Sequence, residues 1–248
     1  MIRVLRLGSS IDVEGETPPD ERAAAIAERM LAAAAGEPIE TVARPPWPNS
    51  SLPDVLEAWV NETRPDLICF NISSFWSEAE VVGERLSRLG RGGRWFSGKL
   101  NAATSRYEFN ANPLVRQARK LAPYTVPGRP PFEPAEAAAN IDRSLRRVLR
   151  HENVGIVVCG SPFSPALHGG AAARQRARAR RTEFFGRLAE SCEALHIPYD
   201  LPPHAADAFD QALRTRDGLH FSPEMHRRTG EMQGRLMVLA WQRTTAGR

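Results

Sequence analysis

The chain has 248 residues, of which 42% are hydrophobic and 25% charged, with a formal net charge of +4; that balance is ordinary for a globular protein and the length suffices to bury a core unaided. No run of eighteen apolar residues occurs, which excludes a membrane-spanning helix, and Met1-Ile2-Arg3-Val4 lacks the apolar stretch of a signal peptide, so a cytoplasmic protein is expected. Cys69, Cys159 and Cys192 are odd in number and widely spaced, which argues for reduced, buried thiols and against a disulfide frame or a zinc site.

In chain order, strands alternate with helices. Ile2-Arg3-Val4-Leu5-Arg6-Leu7 opens a first strand over 2–8. Asp20 to Ala35 is alanine-rich and helical, preceded by Pro18-Pro19 and closed by Gly36. Ile39 to Ala43 is a second strand, and Pro53-Asp54 opens a helix with Val55, Leu56, Trp59 and Val60 on one face. Leu67 to Ile72 is a third strand, and Val81, Val82, Leu86 and Leu89 mark a helix ending at Gly90.

Residues 91–133 break this rhythm with Gly92-Gly93, Gly98, Pro113, Pro123, Pro127-Gly128 and Pro130-Pro131. A stretch of that length reads as an inserted lid or binding loop. Trp95, Phe96, Tyr107, Phe109 and Tyr124 give it apolar surface for a substrate or for anchoring, and Leu114 to Leu121 is expected to be a short helix. Regular structure resumes with a helix through Ile141, Leu145, Val148 and Leu149, and a buried strand from Val154 to Cys159. A long helix follows, through Phe184, Phe185, Leu188, Cys192 and Leu195. The last helix is expected to turn Met232, Leu236 and Leu239 inward. The alternation predicts one α/β domain of three layers, α/β/α, around a central parallel sheet.

Two short motifs stand at the ends of this pattern. The first strand runs into Gly8-Ser9-Ser10, and Asp217-Gly218-Leu219-His220 precedes the last helix. A serine hydroxyl needs a base to take its proton, histidine is the side chain whose ordinary pKa suits that task, and a carboxylate fixes its tautomer. Gly8 lets the backbone turn sharply after the strand and presents Ser10 at the sheet's carboxyl edge, where open α/β sheets build their sites. Ser10, His220 and Asp217 are thus the candidate nucleophile, base and orienting carboxylate.

These motifs resemble those of the SGNH (GDSL-type) hydrolase superfamily. In that family the nucleophile follows Gly-Asp after the first strand; here Ser10 matches it and Ser9 stands where the aspartate would be. The terminal Asp-x-x-His motif, often inside DGxHxSxxGH, matches Asp217-Gly218-Leu219-His220-Phe221-Ser222-Pro223-Glu224-Met225-His226, and residues 195–201 resemble the strand that usually precedes the family's final loop. The resemblance implies a flavodoxin-like fold, a triad of Ser10, His220 and Asp217, and an oxyanion hole. That hole would be made by the nucleophile's N–H, a glycine from a second motif and an asparagine from a third.

The middle motifs depart from the family. The second should fall in Pro48-Asn49-Ser50-Ser51-Leu52-Pro53-Asp54, which has no glycine, so Ser50 or Ser51 would supply the N–H. In the third, Ser73 replaces the glycine, Phe75 the asparagine and Trp76 the aspartate. Asn71 lies four residues early, about 13 Å along a strand. Asn71, Ser73 and Ser74 are therefore candidates for the remaining donor.

The expected activity is hydrolysis of a small-molecule ester through an acyl-enzyme. An acyltransferase using the same triad, or a non-catalytic binding protein on the same fold, are the alternatives. No Gly-x-Gly-x-x-Gly, Walker loop, His-Glu-x-x-His or paired Cys-x-x-Cys is present, so neither a cofactor nor a metal is expected. The run Arg174-Gln175-Arg176-Ala177-Arg178-Ala179-Arg180-Arg181 has no interleaved aromatics. It reads as the solvated first part of a helix or a mobile loop rich in Ala and Arg, and not as a nucleic-acid surface. His151, His168, His196 and His204 read as surface or capping residues, and His226 is expected to be exposed. The oligomeric state is open.

Overall fold

The computed structural model describes residues 1–8, 16–78, 112–115, 117, 129–160, 171–201, 215 and 220–246. Its centre is a five-stranded sheet of β1 (Ile2–Leu7), β2 (Ile39–Arg44), β3 (Leu67–Ile72), β4 (Gly155–Gly160) and β5 (Tyr199–Asp200), in the order β2-β1-β3-β4-β5, every pair parallel. The helices are α1 (Ala23–Ala35), α2 (Leu52–Thr63), the short α3 (Phe75–Glu78), α4 (Pro134–Val148), α5 (Ala171–Ala194) and α6 (Pro223–Ala246). The α/β reading holds, with a parallel sheet covered on both faces.

Side-chain alternation along the strands divides the core in two. Ile2 and Val4, Leu67 and Cys69, and Val157 and Cys159 face α1 and α6. Leu5 and Leu7, Ile68, Phe70 and Ile72, and Ile156 and Val158 face α2, α4 and α5. In register, Leu5 lies beside Ile68 and Ile68 beside Ile156, so each apolar row crosses several strands.

The helix limits follow local chemistry. α1 ends where Gly36 takes a left-handed φ of 70° and its N–H returns to the Ala32 carbonyl at 2.9 Å. Its start is later than the expected Asp20, because Pro19–Glu21 form a separate 3-10 turn and Arg22 is extended. α4 has proline in its first turn with Glu136, and Arg146 and Arg147 in its last, matching the helix dipole at both ends. Leu149, expected on its apolar face, is 41% exposed because it is already the C-cap. β5 is shorter than the expected 195–201: His196 adopts φ 54° and the Ile197 N–H closes onto the Cys192 carbonyl, so the chain is still leaving α5 there.

The last helix differs most from expectation. Met232 and Leu236 pack against the core as expected, but Leu239 is exposed, and the buried stripe is Met225, His226, Thr229, Gly230, Gln233, Gly234, Met237 and Ala240. A Cβ on Gly230 would sit 2.7 Å from Ile26 Cβ and 2.8 Å from the Ala23 carbonyl oxygen, and one on Gly234 would sit 2.6 Å from Met30 Sδ. α6 therefore lies almost backbone-to-backbone on the alanine-rich α1, and hydrophobicity does not mark its buried side. His226 is fully buried in this seam, contrary to the exposure expected of it.

The helix expected over 81–90 lies outside the described residues, as does most of 91–133; residues 113–115 are helical. The arginine run falls on α5 with Arg174, Arg176 and Arg178 exposed, but Arg181 is buried. No described helix is long and apolar enough to cross a membrane.

Candidate active site

The strand order places a switch point between β1 and β3, because the connection from β1 leads to β2 on one side and the chain then crosses to β3 on the other. Crevices at such points, outside the carboxyl ends of the strands, are where doubly wound sheets bind ligands. Gly8 leaves β1 there, its N–H donating to the Arg44 carbonyl of β2 at 3.2 Å. Ser10 lies two residues further on, and both it and Asp217 fall outside the described residues.

His220 is described, and it is 2% exposed. Its carbonyl accepts from both the Thr215 N–H (3.1 Å) and the Thr215 hydroxyl (3.3 Å). Phe221 is buried behind it, edge-on to the His226 ring with centroids 5.4 Å apart. Ser222 caps α6: its hydroxyl accepts from the Met225 N–H at 3.3 Å and its carbonyl from the His226 N–H at 2.9 Å. His226 Nδ1 accepts the N–H of Ala23, the first residue of α1, at 3.2 Å. An imidazole that accepts at Nδ1 is the neutral tautomer protonated at Nε2.

These contacts bring together the N-termini of α1 and α6. In sequence Ser10 precedes the first, and His220 lies three residues before the second. Thr215 and Phe221 escape a motif-based reading, since nothing in their spacing marks them, whereas His226 stands at the last histidine of the DGxHxSxxGH pattern. Ser222 was signalled, because Ser-Pro-Glu is an N-cap, first-turn proline and first-turn acid in sequence.

The oxyanion candidates sort by what already holds them. Ser51 donates both its N–H (3.1 Å) and its hydroxyl (2.7 Å) to Asn49 Oδ1, a local Asx-type turn. The turn itself is pinned from α4, where Asn140 Nδ2 donates to the Pro48 carbonyl at 2.9 Å. Ser50 is exposed in the same turn. Asn71 is 6% exposed, pairs in register with Cys159, and by alternation faces the α1 and α6 side. Ser73 lies two residues before α3, its hydroxyl accepting from the Phe75 N–H at 3.3 Å. The Ser74 hydroxyl is buried and, among the described residues, has no hydrogen-bond partner.

The turn carrying Ser73 and Ser74 is held from α5. Arg180 donates through Nε to the Ser77 carbonyl and through Nη2 to the Glu78 carbonyl, both at 3.0 Å. Arg181 lies over the Phe185 ring, 5.6 Å from its centroid. Burial pulls its pKa below the usual arginine value, and the fully buried Glu78 opposes that shift.

Beneath the switch point lies a buried polar row. Arg6, four residues before Ser10, donates to Gln233 of α6 and approaches Cys69 Sγ at 3.9 Å. The Cys159 thiol is pushed well above its ordinary pKa by its hydrogen bond with Cys69 and by burial, with the Arg6 charge acting in the opposite direction. Among the described residues no group of three His, Cys, Asp or Glu could hold a metal ion.

No protein-family model matches the sequence, and no curated protein matches it. Solved structures match it over nearly their whole length. The carbohydrate acetylesterase Est24 from Sinorhizobium meliloti is 12% identical, with 96% of this chain and 100% of that one covered at a TM-score of 0.53. The aryl esterase of M. smegmatis is 14% identical, with 97% and 100% covered at a TM-score of 0.53. A protein described as a lipolytic member of the G-D-S-L family from Desulfitobacterium hafniense is 11% identical, with 95% and 99% covered at 0.50. The chain has the fold of the SGNH (GDSL-type) hydrolases.

Proposed function

We propose that the chain is a serine ester hydrolase acting on a small-molecule ester through Ser10, His220 and Asp217. Ser10 Oγ attacks the ester carbonyl while His220 takes its proton; His220 then protonates the departing alcohol oxygen. Water, deprotonated by the same imidazole, attacks the acyl-enzyme, releasing the acid and restoring Ser10. Asp217 orients the imidazole and stabilises the imidazolium. The carbonyl oxygen, negative in the tetrahedral intermediate, is held by the Ser10 N–H, the Ser50 N–H and a side-chain donor from the turn after β3. Of the candidates there, the Ser74 hydroxyl has a proton to give, Asn71 lies on the α6 side, and Ser73 is engaged as a cap. Ser51 is spoken for by Asn49.

One observation carries this reading. His220 is buried at the carboxyl edge, its backbone clamped by Thr215, in a turn tied through His226 to the start of α1. A histidine placed only for solubility at a helix start has no need of that support. The esterase names of the structural neighbours agree with it.

Labelling with a fluorophosphonate, followed by peptide mass spectrometry, tests it. The expected adduct is on Ser10, and is lost in His220→Ala. A folded wild-type protein that takes no label and hydrolyses neither p-nitrophenyl acetate nor p-nitrophenyl octanoate refutes the proposal.

A further inference from the structure

We propose that Trp47 and Phe132 form a stacking subsite for an aromatic ring of the substrate, an inference that rests on the serine-esterase reading of the same edge. Trp47 is 48% exposed, a large apolar surface for a protein to leave in water. It meets Phe132 edge-to-face, with ring centroids 5.4 Å apart and planes at 68°. Its position is set by the sheet. Trp47 lies three residues beyond Arg44, whose carbonyl receives the Gly8 N–H, and Ser10 lies two residues beyond Gly8. Phe132 is tied to the far side of the switch point by its N–H, which donates to the Trp76 carbonyl at 2.9 Å. The pair therefore reaches from the loop after β2 to the turn after β3, with the end of β1 between them. Among the described residues the exposed large hydrophobic side chains are Met1, Trp47, Phe75, Leu114, Leu149 and Leu239. The two aromatic ones, Trp47 and Phe75, both follow strands that flank β1.

The surrounding polar groups select the kind of ring. Pro45, Pro46 and Pro48 have no N–H to offer. The Trp47 carbonyl is taken by the Asn49 N–H at 2.8 Å, the Pro48 carbonyl by Asn140, and the Asn49 side-chain oxygen by Ser51. These three acceptors are already engaged and so serve a hydroxyl-rich ring less well, whereas a flat apolar ring needs only the indole face. The three prolines also hold the loop in place, so little ordering is required when a ligand arrives.

Titration of 15N-tryptophan-labelled protein with acetanilide, an uncharged aryl amide, reads this subsite without turnover. The Trp47 indole resonance, assigned by its loss in Trp47→Phe, is expected to move with acetanilide and to stay still with N-methylacetamide, which lacks the ring. Trp47→Ala is expected to weaken acetanilide about five- to ten-fold, the scale of one aromatic contact, with partial recovery in Trp47→Phe. In turnover, Trp47→Ala should raise KM for phenyl acetate by the same factor and leave kcat, and both constants for ethyl acetate, unchanged. A Trp47 signal unmoved by acetanilide, or moved equally by N-methylacetamide or instead by methyl glucoside, overturns the subsite. A moved Trp47 in a protein that neither turns over esters nor labels at Ser10 supports the subsite and refutes the serine mechanism, so the two failures are separable.

Discussion

The two faces of the sheet are built on different principles. The face under α2, α4 and α5 is an oil-like core of leucine, isoleucine, valine and phenylalanine, stitched at its rim by charge pairs such as Arg147 with Asp54 and Glu57. The face under α1 and α6 is thin: glycines and alanines bring the helices together, and the space between holds Arg6, Gln233, Thr229 and His226. Bulk stabilises the first. The second gives up bulk for close approach and directed hydrogen bonds, and it is the one whose helix starts carry His220 and lead from Ser10. Under the proposed mechanism, stability and the positioning of the triad fall on opposite sides of one sheet.

The largest effects test whether the thin face carries the chemistry. Ser10→Ala and His220→Ala should each lower kcat for p-nitrophenyl acetate by a factor of about 10³ or more with the fold retained by circular dichroism; near-wild-type turnover in either would break the comparison at its root. Next come core changes on both faces. Leu188→Ala, on α5, should cost about 2–5 kcal/mol of unfolding free energy in urea with kcat unchanged at temperatures where the protein remains folded. Gly230→Ala forces a methyl against the Ala23 carbonyl and Ile26. Overpacking costs about 1–3 kcal/mol against a helix-propensity gain of about 0.5–1, so the variant is destabilised. Unlike Leu188→Ala, it should also lower kcat, because α6 must move off α1. Equal kinetic behaviour of the two variants would erase the distinction.

Smaller changes sharpen it. Thr215→Val keeps the shape but removes one of the two donors to the His220 carbonyl. A hydrogen bond of about 0.5–1.5 kcal/mol corresponds to a loss of up to about ten-fold in kcat, with KM steady and recovery in Thr215→Ser. The smallest expected effect is at Glu224, whose pKa is lowered to about 2 by hydrogen bonds from Arg227 and Arg228. A carboxylate depressed on folding adds stability above its unfolded pKa and loses it as pH falls toward the folded value. Glu224→Gln should therefore lower the melting temperature slightly at pH 7, less with added salt, and the gap should close between about pH 4.5 and 2.

Much of the fold was legible because α/β alternation, proline and glycine punctuation and short apolar strands are local signals. Leu67 to Ile72 was read to the residue. The face of α6 was legible only in part: Met232 and Leu236 pack on the core as expected, but glycine, threonine, glutamine and histidine share the buried stripe with Met225, Met237 and Ala240 because α1 lies so near. His226 was misread as exposed for the same reason: its partner, the Ala23 N–H, lies 203 residues away in sequence. At the candidate site, the motif spacing singled out His220 as the proposed base but gave no sign of Thr215, whose contact with the His220 carbonyl is not encoded in local spacing. Ser50 and Ser51 looked equivalent until the Asn49 side chain distinguished them.

The three buried thiols have a practical consequence. Cys192 is pushed up to about 12 by burial and Cys159 well above its ordinary value, while Cys69 is wholly enclosed. Maleimides attack thiolates, so the native chain should be silent toward them without any cysteine being replaced. A single substitution at an exposed position, such as Ser50→Cys beside the carboxyl edge, would then accept one fluorophore at one address. The molecule comes ready to be made into its own reporter of ligand arrival.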